Sequence, residues 1–401
     1  MTPTSKPALT DKRYVVPFVL VTMLFFLWGF ARAILDVLNK HLQNELHITI
    51  AQSALIQVTT YLGYFLMAIP AGLFINRFGY RRGVVLGLLL FGIGALLFIP
   101  GAKIGTFHAF LGALFIIGCG LTFLETAANP YVTELGDRAT ATSRLNLSQS
   151  FNGLGSLFAT FAVGQFFFRQ TETNNDVAVP YTILGVLVLV IALAFSRVKL
   201  PEIPHLITDK TANSSGGNFA RLWHQRLFVF GLLSLLAYEV AEISINSYFI
   251  NFVTGQGWMN DNTASVVLTI ALGFFMVGRF VGSWIMRRVD ARRVLLGCAV
   301  GSVACIGLVL ADWGPISMVS LIGNYLFEAI MFPTIFSLAL SGLGNLTKSA
   351  SSLLMMTPIG GCGFLLMGYA ADSFGMVVPF LLPFIGYVIV LAYAIRLQKK
   401  R

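Results

Sequence analysis

Six ionisable residues, Arg32, Asp36, Glu125, Glu239, Glu242 and Glu328, stand inside long apolar stretches of this 401-residue chain. A charge at the centre of a membrane-crossing helix costs ~2.5–3.5 kcal/mol on insertion scales, so residues of this kind are functional candidates wherever the stretch spans a bilayer. Arg32 and Asp36 are four residues apart, on one helical face, where opposite charges can pair. That spacing supports two readings: a coupling carboxylate tuned by a neighbouring cation, or a neutralising pair that fixes the helix. Glu125, in TFLETAANPYVT, has no basic neighbour within a turn of its own helix. A carboxyl buried without a cation favours its neutral form, which suits a group that takes up and releases a proton.

Amides accompany these charges. Asn146, Gln149 and Asn152 recur at intervals of three, Glu239, Glu242 and Asn246 at three and four, and Asn324 and Glu328 at four. Each set falls along one side of a helix. Amides both donate and accept, as neutral hydroxylated ligands require, and the plainer reading of each is an interhelical hydrogen bond. Trp28, Phe151, Tyr248 and Phe332 are close to them in sequence and offer flat rings to the C–H faces of a sugar, although most of the 35 phenylalanines must face lipid or packing interfaces.

The elements that position these residues are apolar runs. A helix crossing the hydrocarbon needs ~20 residues at ~1.5 Å each. Twelve runs qualify, at roughly 15–37, 51–76, 82–101, 106–131, 145–168, 178–196, 226–252, 263–286, 292–311, 315–342, 349–372 and 376–396. Short polar turns separate most of them, unlike the ~10-residue alternation of a membrane β-barrel. The chain is 56% hydrophobic and 11% charged, against about 25% charged in soluble domains. The first run is full length, lacks a small-residue cleavage site and carries Arg32 and Asp36, so it is expected to be retained rather than removed as a signal peptide. The expected fold is an all-α membrane protein of twelve transmembrane helices.

Other chemistries find little support. Cys119, Cys298, Cys305 and Cys362 have no metal-ligand or CxxC spacing and read as packing residues. His41, His47, His108, His205 and His224 fall at or outside the span ends, so an intramembrane metal enzyme is not expected. GLGNLTKS at 342–349 lacks the glycine before Lys348 that a phosphate-binding loop needs, so neither an ATP-driven pump nor any cofactor is expected. The formal net charge of +10 is explained by topology rather than nucleic acid. Arg77, Arg81 and Arg82 follow span 2, Arg287, Arg288, Arg292 and Arg293 follow span 8, and the 6–7 segment and both termini are basic. Lys and Arg are retained inside, which places both termini in the cytoplasm.

The longest polar interruption, from about Arg197 to Arg226, contains Pro201, Pro204 and a Ser-Ser-Gly-Gly stretch and reads as a linker. It gives residues 1–196 as one six-helix half, 197–225 as a cytoplasmic linker and 226–401 as the second half. AGLFINRFGYRRGVVLG at 71–87 and VGSWIMRRVDARRVLLG at 281–297 repeat in register. Two halves related by an axis along the membrane normal resemble the major facilitator superfamily, as does this loop, except that Asn76 stands where the superfamily motif usually has Asp. In that arrangement spans 1, 4, 7 and 10, which carry the six charges, line a central cavity.

Finer motifs narrow the resemblance. FFLWGF-x5-D at 25–36, LETAANPYVTELG at 124–136, RLNLSQSFNGLGS at 144–156 and FPTIFSLAL at 332–340 resemble the fucose:proton symporter family of that superfamily. The resemblance covers nearly the whole chain. It implies that Asp36 and Glu125 are the membrane-embedded carboxylates of coupling and sugar recognition and that Gln149 and Asn152 are sugar-binding amides. It also implies a neutral monosaccharide such as fucose, glucose or galactose. AYEVAEISINSYFINF at 237–252 is more similar to the glucose/galactose branch because of the acid at Glu242. The chain departs from the pattern at Arg32, in RAIL where the family is usually Asn-rich, at Glu328, where an amide or small residue is more usual, and at the additional acid Glu239.

The expected function is proton-coupled import of a hexose by a monomeric carrier of the bacterial inner membrane. Sodium as coupling ion, an amino or acidic sugar met by Arg32, and a non-transporting sugar sensor are the alternatives. The expected substrate contacts are Gln149, Asn152, Glu242, Asn246, Asn324, Glu328, Trp28 and Tyr248, with Asp36 and Glu125 as proton groups and Arg32 and Glu239 tuning charge.

Overall fold

The computed structural model describes residues 10–136, 141–168, 178–197, 220–286, 288–343 and 346–399. Among these residues all regular structure is helical, and each of the twelve expected spans is a helix or a string of helices. Spans 1 to 6 are Val15–Leu46, Leu55–Phe78, Tyr80–Leu96 extended by Phe98–Ile104, Phe107–Glu134, Ala141–Phe168 and Ala178–Arg197. Spans 7 to 9 are Arg226–Gly255, Asp261–Ile285 and Ala291–Leu310. Span 10 is Pro315–Glu328 and Met331–Leu340, span 11 runs through Thr347–Leu354, Thr357–Cys362 and Gly363–Phe374, and span 12 is Leu381–Gln398.

Ten of these helical stretches are long and apolar enough to cross a membrane by length and composition. Spans 5 and 11 are the other two, for physical reasons. Span 5 spends its length on Ser148, Gln149, Asn152 and Gly153. Span 11 is broken by a 3-10 segment that begins Thr357-Pro358 and contains Gly360 and Gly361. A proline cannot donate to the ladder, and a Cβ at Gly361 would collide with the Tyr61 ring of span 2. The broken stretch packs against both span 2 and span 7.

Local signals set several ends. Thr49 and Gln52 form a reciprocal capping box on the short helix Ile50–Ser53 before span 2. Gly79, with φ of 85°, makes the turn into span 3. Asn260 caps span 8 by accepting from the Thr263 amide at 2.8 Å, and Asp290 caps span 9 through the Arg292 amide at 2.8 Å. The side chain of Asn76 and all of Arg287 lie outside the described residues, as does the expected linker over 198–219.

Two apolar clusters make the core. One is drawn mainly from spans 1 to 6, the other mainly from spans 7 to 12. In the first, spans 1 and 5 meet backbone to backbone. A Cβ at Gly29 would overlap the Asn152 carbonyl, and one at Gly155 would overlap the Phe26 carbonyl. Small residues at such a seam let helices approach where no solvent drives them together.

At the end of the bundle where span 1 finishes and span 8 starts, residues of the first six spans hold residues of the last six. Asn44 Nδ2 donates to Asp261 Oδ2 at 2.6 Å and Lys40 Nζ lies 3.8 Å from Asp261 Oδ1. Gln165 Nε2 donates to Asn262 Oδ1 at 2.9 Å, and the Ala51 amide donates to Asp372 Oδ2 at 2.9 Å.

Candidate functional site

Between the two clusters is a cavity lined largely by charged, amide and aromatic side chains. Its walls come from spans 1, 2, 4 and 5 and from spans 7, 8, 10 and 11. The expectation of spans 1, 4, 7 and 10 is met and doubled, because each lining helix is joined by the next one in the chain. Among the described residues, spans 3, 6, 9 and 12 contribute none of the lining.

Arg32 crosses the cavity. Its Nη2 lies 2.5 Å from Glu242 Oε2 and 3.4 Å from Glu239 Oε2, and its Nε donates to the Tyr61 hydroxyl at 3.1 Å. Glu239 and Glu242 are 2% and 7% exposed, so these charges are paired away from water. The spacing on span 1 points Arg32 at Asp36, and here the structure differs: Arg32 pairs with span 7 instead. Two acids on a facing helix, one turn apart, offer the guanidinium fork more than one acid a turn along its own helix does.

Asp36 is held by neutral donors. Its Oδ1 accepts from Ser247 Oγ at 2.7 Å and from Gln57 Nε2 at 3.3 Å, and Gln57 Nε2 also reaches Ser247 Oγ at 2.7 Å. It borders a second cavity that shares Arg32, Asn152, Glu242 and Arg279 with the first. The Arg32–Glu242 pair therefore stands where the two spaces meet, with Asp36 on one side and Glu125 on the other.

Glu125 is 4% exposed, lines the first cavity, and receives no hydrogen bond from the described residues. Gln149 and Asn152 line the same space. Gln149 Nε2 contacts Asn129 Oδ1 at 3.4 Å, and Asn152 Nδ2 is buried without a partner among the described residues. An unmade hydrogen bond in a buried site is costly, and the Asn152 N–H keeps the capacity for one more acceptor. Trp28 lines the cavity with its indole N–H donating to the Tyr64 hydroxyl at 3.0 Å, and Phe332 faces it from span 10. The side chain of Asn146 lies outside the described residues.

Three expected contacts, Tyr248, Asn324 and Glu328, are placed elsewhere, as is the Phe151 ring. Tyr248 packs among Phe252, Phe364 and Phe380, and its hydroxyl donates to the Met376 carbonyl at 3.1 Å. Two residues past Asn246 is ~200° around the helix, so Tyr248 faces away from the amides. Phe151, next to Asn152, is 40% exposed on the outside of the bundle. Asn324 and Glu328 are 0% exposed and border neither cavity. They bond to each other and to Tyr387 of span 12. Asn246 borders the second cavity, donating from Nδ2 to Glu242 Oε1 at 3.0 Å.

The family model described as the Major Facilitator Superfamily matches residues 21–362. The chain belongs to the major facilitator superfamily. Within it, the glucose/galactose transporter of Brucella abortus biovar 1 is 36% identical over 409 residues, covering 98% of each chain. The L-fucose-proton symporter of Escherichia coli K12 is 33% identical over 418 residues, covering 97% of this chain and 94% of that one. A crystal structure of the fucose transporter FucP in the outward conformation superposes with a TM-score of 0.78 at 32% identity, covering 97% of this chain and all of that one. A D-xylose-proton symporter structure shares the fold, with a TM-score of 0.70 at 15% identity.

In this superfamily member the sequence reading omitted one central residue. Arg279 of span 8 is 9% exposed and donates from Nη1 to the Gln149 carbonyl at 2.6 Å and to Gln149 Oε1 at 3.1 Å. Its Nε donates to the Ala329 carbonyl at 3.2 Å, and its guanidinium lies 4.5 Å from the centre of the Phe275 ring. The signal was present: VGRFVG at 277–282 puts an arginine inside an apolar run, as RAIL does at 32–35. Tyr61, Tyr64 and Tyr238 also line the cavity, and no spacing pattern singles them out.

Proposed function

We propose that this protein imports a neutral monosaccharide of the hexose class by symport with protons, through alternating access between residues 1–196 and 226–401 joined by a linker. The observation that carries the reading is Glu125: a buried carboxyl on the cavity wall, without a hydrogen-bond partner among the described residues, beside Gln149, Asn152 and the Trp28 ring. Such a group can gain or lose a proton without breaking a protein contact. The amides and the indole offer a sugar its hydroxyl partners and a flat face. Asp36 is the second proton group, set beyond the Arg32–Glu242 pair.

A neutral substrate is favoured because Arg32 is engaged by Glu239 and Glu242, leaving it no spare charge for an acidic sugar. The names of the relatives above, glucose/galactose transporter and L-fucose-proton symporter, agree with hexose and proton. With basic loops inside, both termini are cytoplasmic, the setting is a bacterial inner membrane, and the contacts of Asp261 and Asp372 close the outer face. The chain acts as a monomer.

Proteoliposomes test this directly. With an imposed pH gradient the wild type should concentrate hexose, and a sodium gradient alone should not. Glu125→Gln should keep sugar exchange and lose accumulation. Accumulation driven by pH in Glu125→Gln would remove Glu125 from coupling, and accumulation driven by sodium alone would replace the ion.

A further inference from the structure

Glu328 is a buried acid that the transport reading leaves unused. It ends the first segment of span 10 and is 0% exposed. Asn324 Nδ2 donates to its Oε2 at 2.7 Å, the Tyr387 hydroxyl donates to the same oxygen, and Asn324 Nδ2 also reaches the Tyr387 oxygen at 3.1 Å. Every donor is neutral, and among the described residues no Lys, Arg or His pairs with the carboxyl. Two buried acceptors on this bonded pair, Glu328 Oε1 and Asn324 Oδ1, have no partner among the described residues.

An ionised carboxylate can only accept, so with Glu328 charged both oxygens stay orphaned and a full charge sits uncompensated in an apolar interior. One proton changes both facts. Placed on Oε1, it makes that atom a donor whose available acceptor is Asn324 Oδ1. Acid and amide then close a ring, O–H to Oδ1 and N–H to Oε2, with Tyr387 bracing it from span 12.

We propose that Glu328 is a resident proton site: a neutral carboxylic acid that keeps its proton through the transport cycle and anchors the break in span 10. Its hydrogen-bond partners belong to spans 10 and 12 of one half, and it borders neither cavity, so rocking of the halves opens no water path to it. The titratable groups around it are Tyr238 and Glu242 of span 7, Cys305 of span 9, Tyr325 on its own helix and Tyr387, with Arg32 acting through the field. Arg32 is already bound to Glu239 and Glu242, so none of these supplies the missing counter-charge.

The site acts through position. Span 10 loses its regular helix at Ala329–Ile330, immediately after Glu328. The Ala329 carbonyl accepts from Arg279, which also holds Gln149 of the cavity wall. Glu328 is thus a positioning residue that fixes the carbonyl Arg279 grips. It departs from the family pattern, in which an amide or small residue is more usual, and a neutral acid can take the place of the amide.

Infrared difference spectroscopy of purified protein tests the proton, independently of which sugar or ion is carried. Wild type minus Glu328→Gln should show a carboxylic-acid C=O band that persists across the pH range of transport and does not exchange in D2O over many turnovers. Glutamine reproduces the ring with an N–H in place of the O–H, so Glu328→Gln should retain wild-type melting, uptake and proton-to-sugar ratio. Glu328→Ala strands Asn324 and Tyr387 and should melt lower, with a raised KM for sugar. Carboxylate bands in place of the acid band would overturn the proposal. So would a band that titrates in the transport range, or loss of proton-driven accumulation in Glu328→Gln.

Discussion

Asp36 and Glu125 stand on opposite sides of the same ion pair and are kept in different ways. Asp36 takes hydrogen bonds from Gln57 on span 2 and from Ser247 on span 7, so its oxygen ties the two sets of helices together. Glu125 has no such bond and looks into the first cavity. A change of charge at Asp36 must disturb a contact between the halves, while one at Glu125 disturbs only what occupies the cavity. Under the proposed coupling roles, this separates the two tasks of a coupled carrier, sensing the ligand and sensing the conformation, with the Arg32–Glu242 pair between them.

The comparison depends most on that pair. Arg32→Ala leaves Glu239 and Glu242 buried without their cation and should cost ~3–5 kcal/mol, read as a lower melting temperature and lost uptake. Adding Glu242→Gln should return part of the stability; an Arg32→Ala protein that melts like wild type would mean that nothing divides the two spaces. Gly29→Ala should follow at ~1–3 kcal/mol, because its methyl pushes on the Asn152 carbonyl between spans 1 and 5. Here a raised KM should accompany the loss of stability, since Asn152 moves with its backbone.

Asn152→Ala probes the wall that the two spaces share. Losing one amide-to-hydroxyl bond, about 0.5–1.5 kcal/mol, should raise the KM for sugar while melting stays unchanged. A stability loss without a KM change would make Asn152 a packing residue. The smallest effect is expected at the outer contact: Asp261→Asn weakens its hold on Lys40 and Asn44 by about 1 kcal/mol or less, a shift of at most about fivefold between inward-open and outward-open forms. Distances between spin labels placed on spans 1 and 8 at that end would report it.

The architecture was largely legible because a bilayer tests one variable, apolar length, and the chain answers it run by run. Its interruptions were harder. Pro333, which has no N–H to give the Ala329 carbonyl, marks the break after Glu328, and Pro358 with Gly360 and Gly361 marks the one in span 11, but hydropathy weighs neither. Residues on one helix face were recoverable from spacing, as with Glu239, Glu242 and Asn246. Pairings across helices were not, since Arg32 has an acid a turn away on its own span and two facing it from span 7, and only the packing decides between them. Tyr248 shows the opposite error: closeness in sequence was allowed to outweigh the 3.6-residue period that turns it away. Arg279 needed no structure at all, only an even application of the rule that exposed Arg32.

The glycine seam between spans 1 and 5 also determines where the molecule can slide. Carbonyls wedged against Cα atoms act like meshed teeth, and any shear there must first lift the helices apart. Between spans 5 and 8 the fit is uneven: a Cβ at Gly153 would come no nearer than 3.8 Å to Met276 and one at Gly273 would come within 3.6 Å of Leu157, but one at Gly164 would press to 2.8 Å from the Ser265 hydroxyl. At the first two positions flexible Met and Leu side chains meet the facing helix at ordinary contact distance and can give way. The joint inside one half is therefore meshed by backbone, while the seam between the halves yields around Gly153 and Gly273 and is held by polar contacts, Arg279 on Gln149 and Gln165 on Asn262, that must break before it can slide.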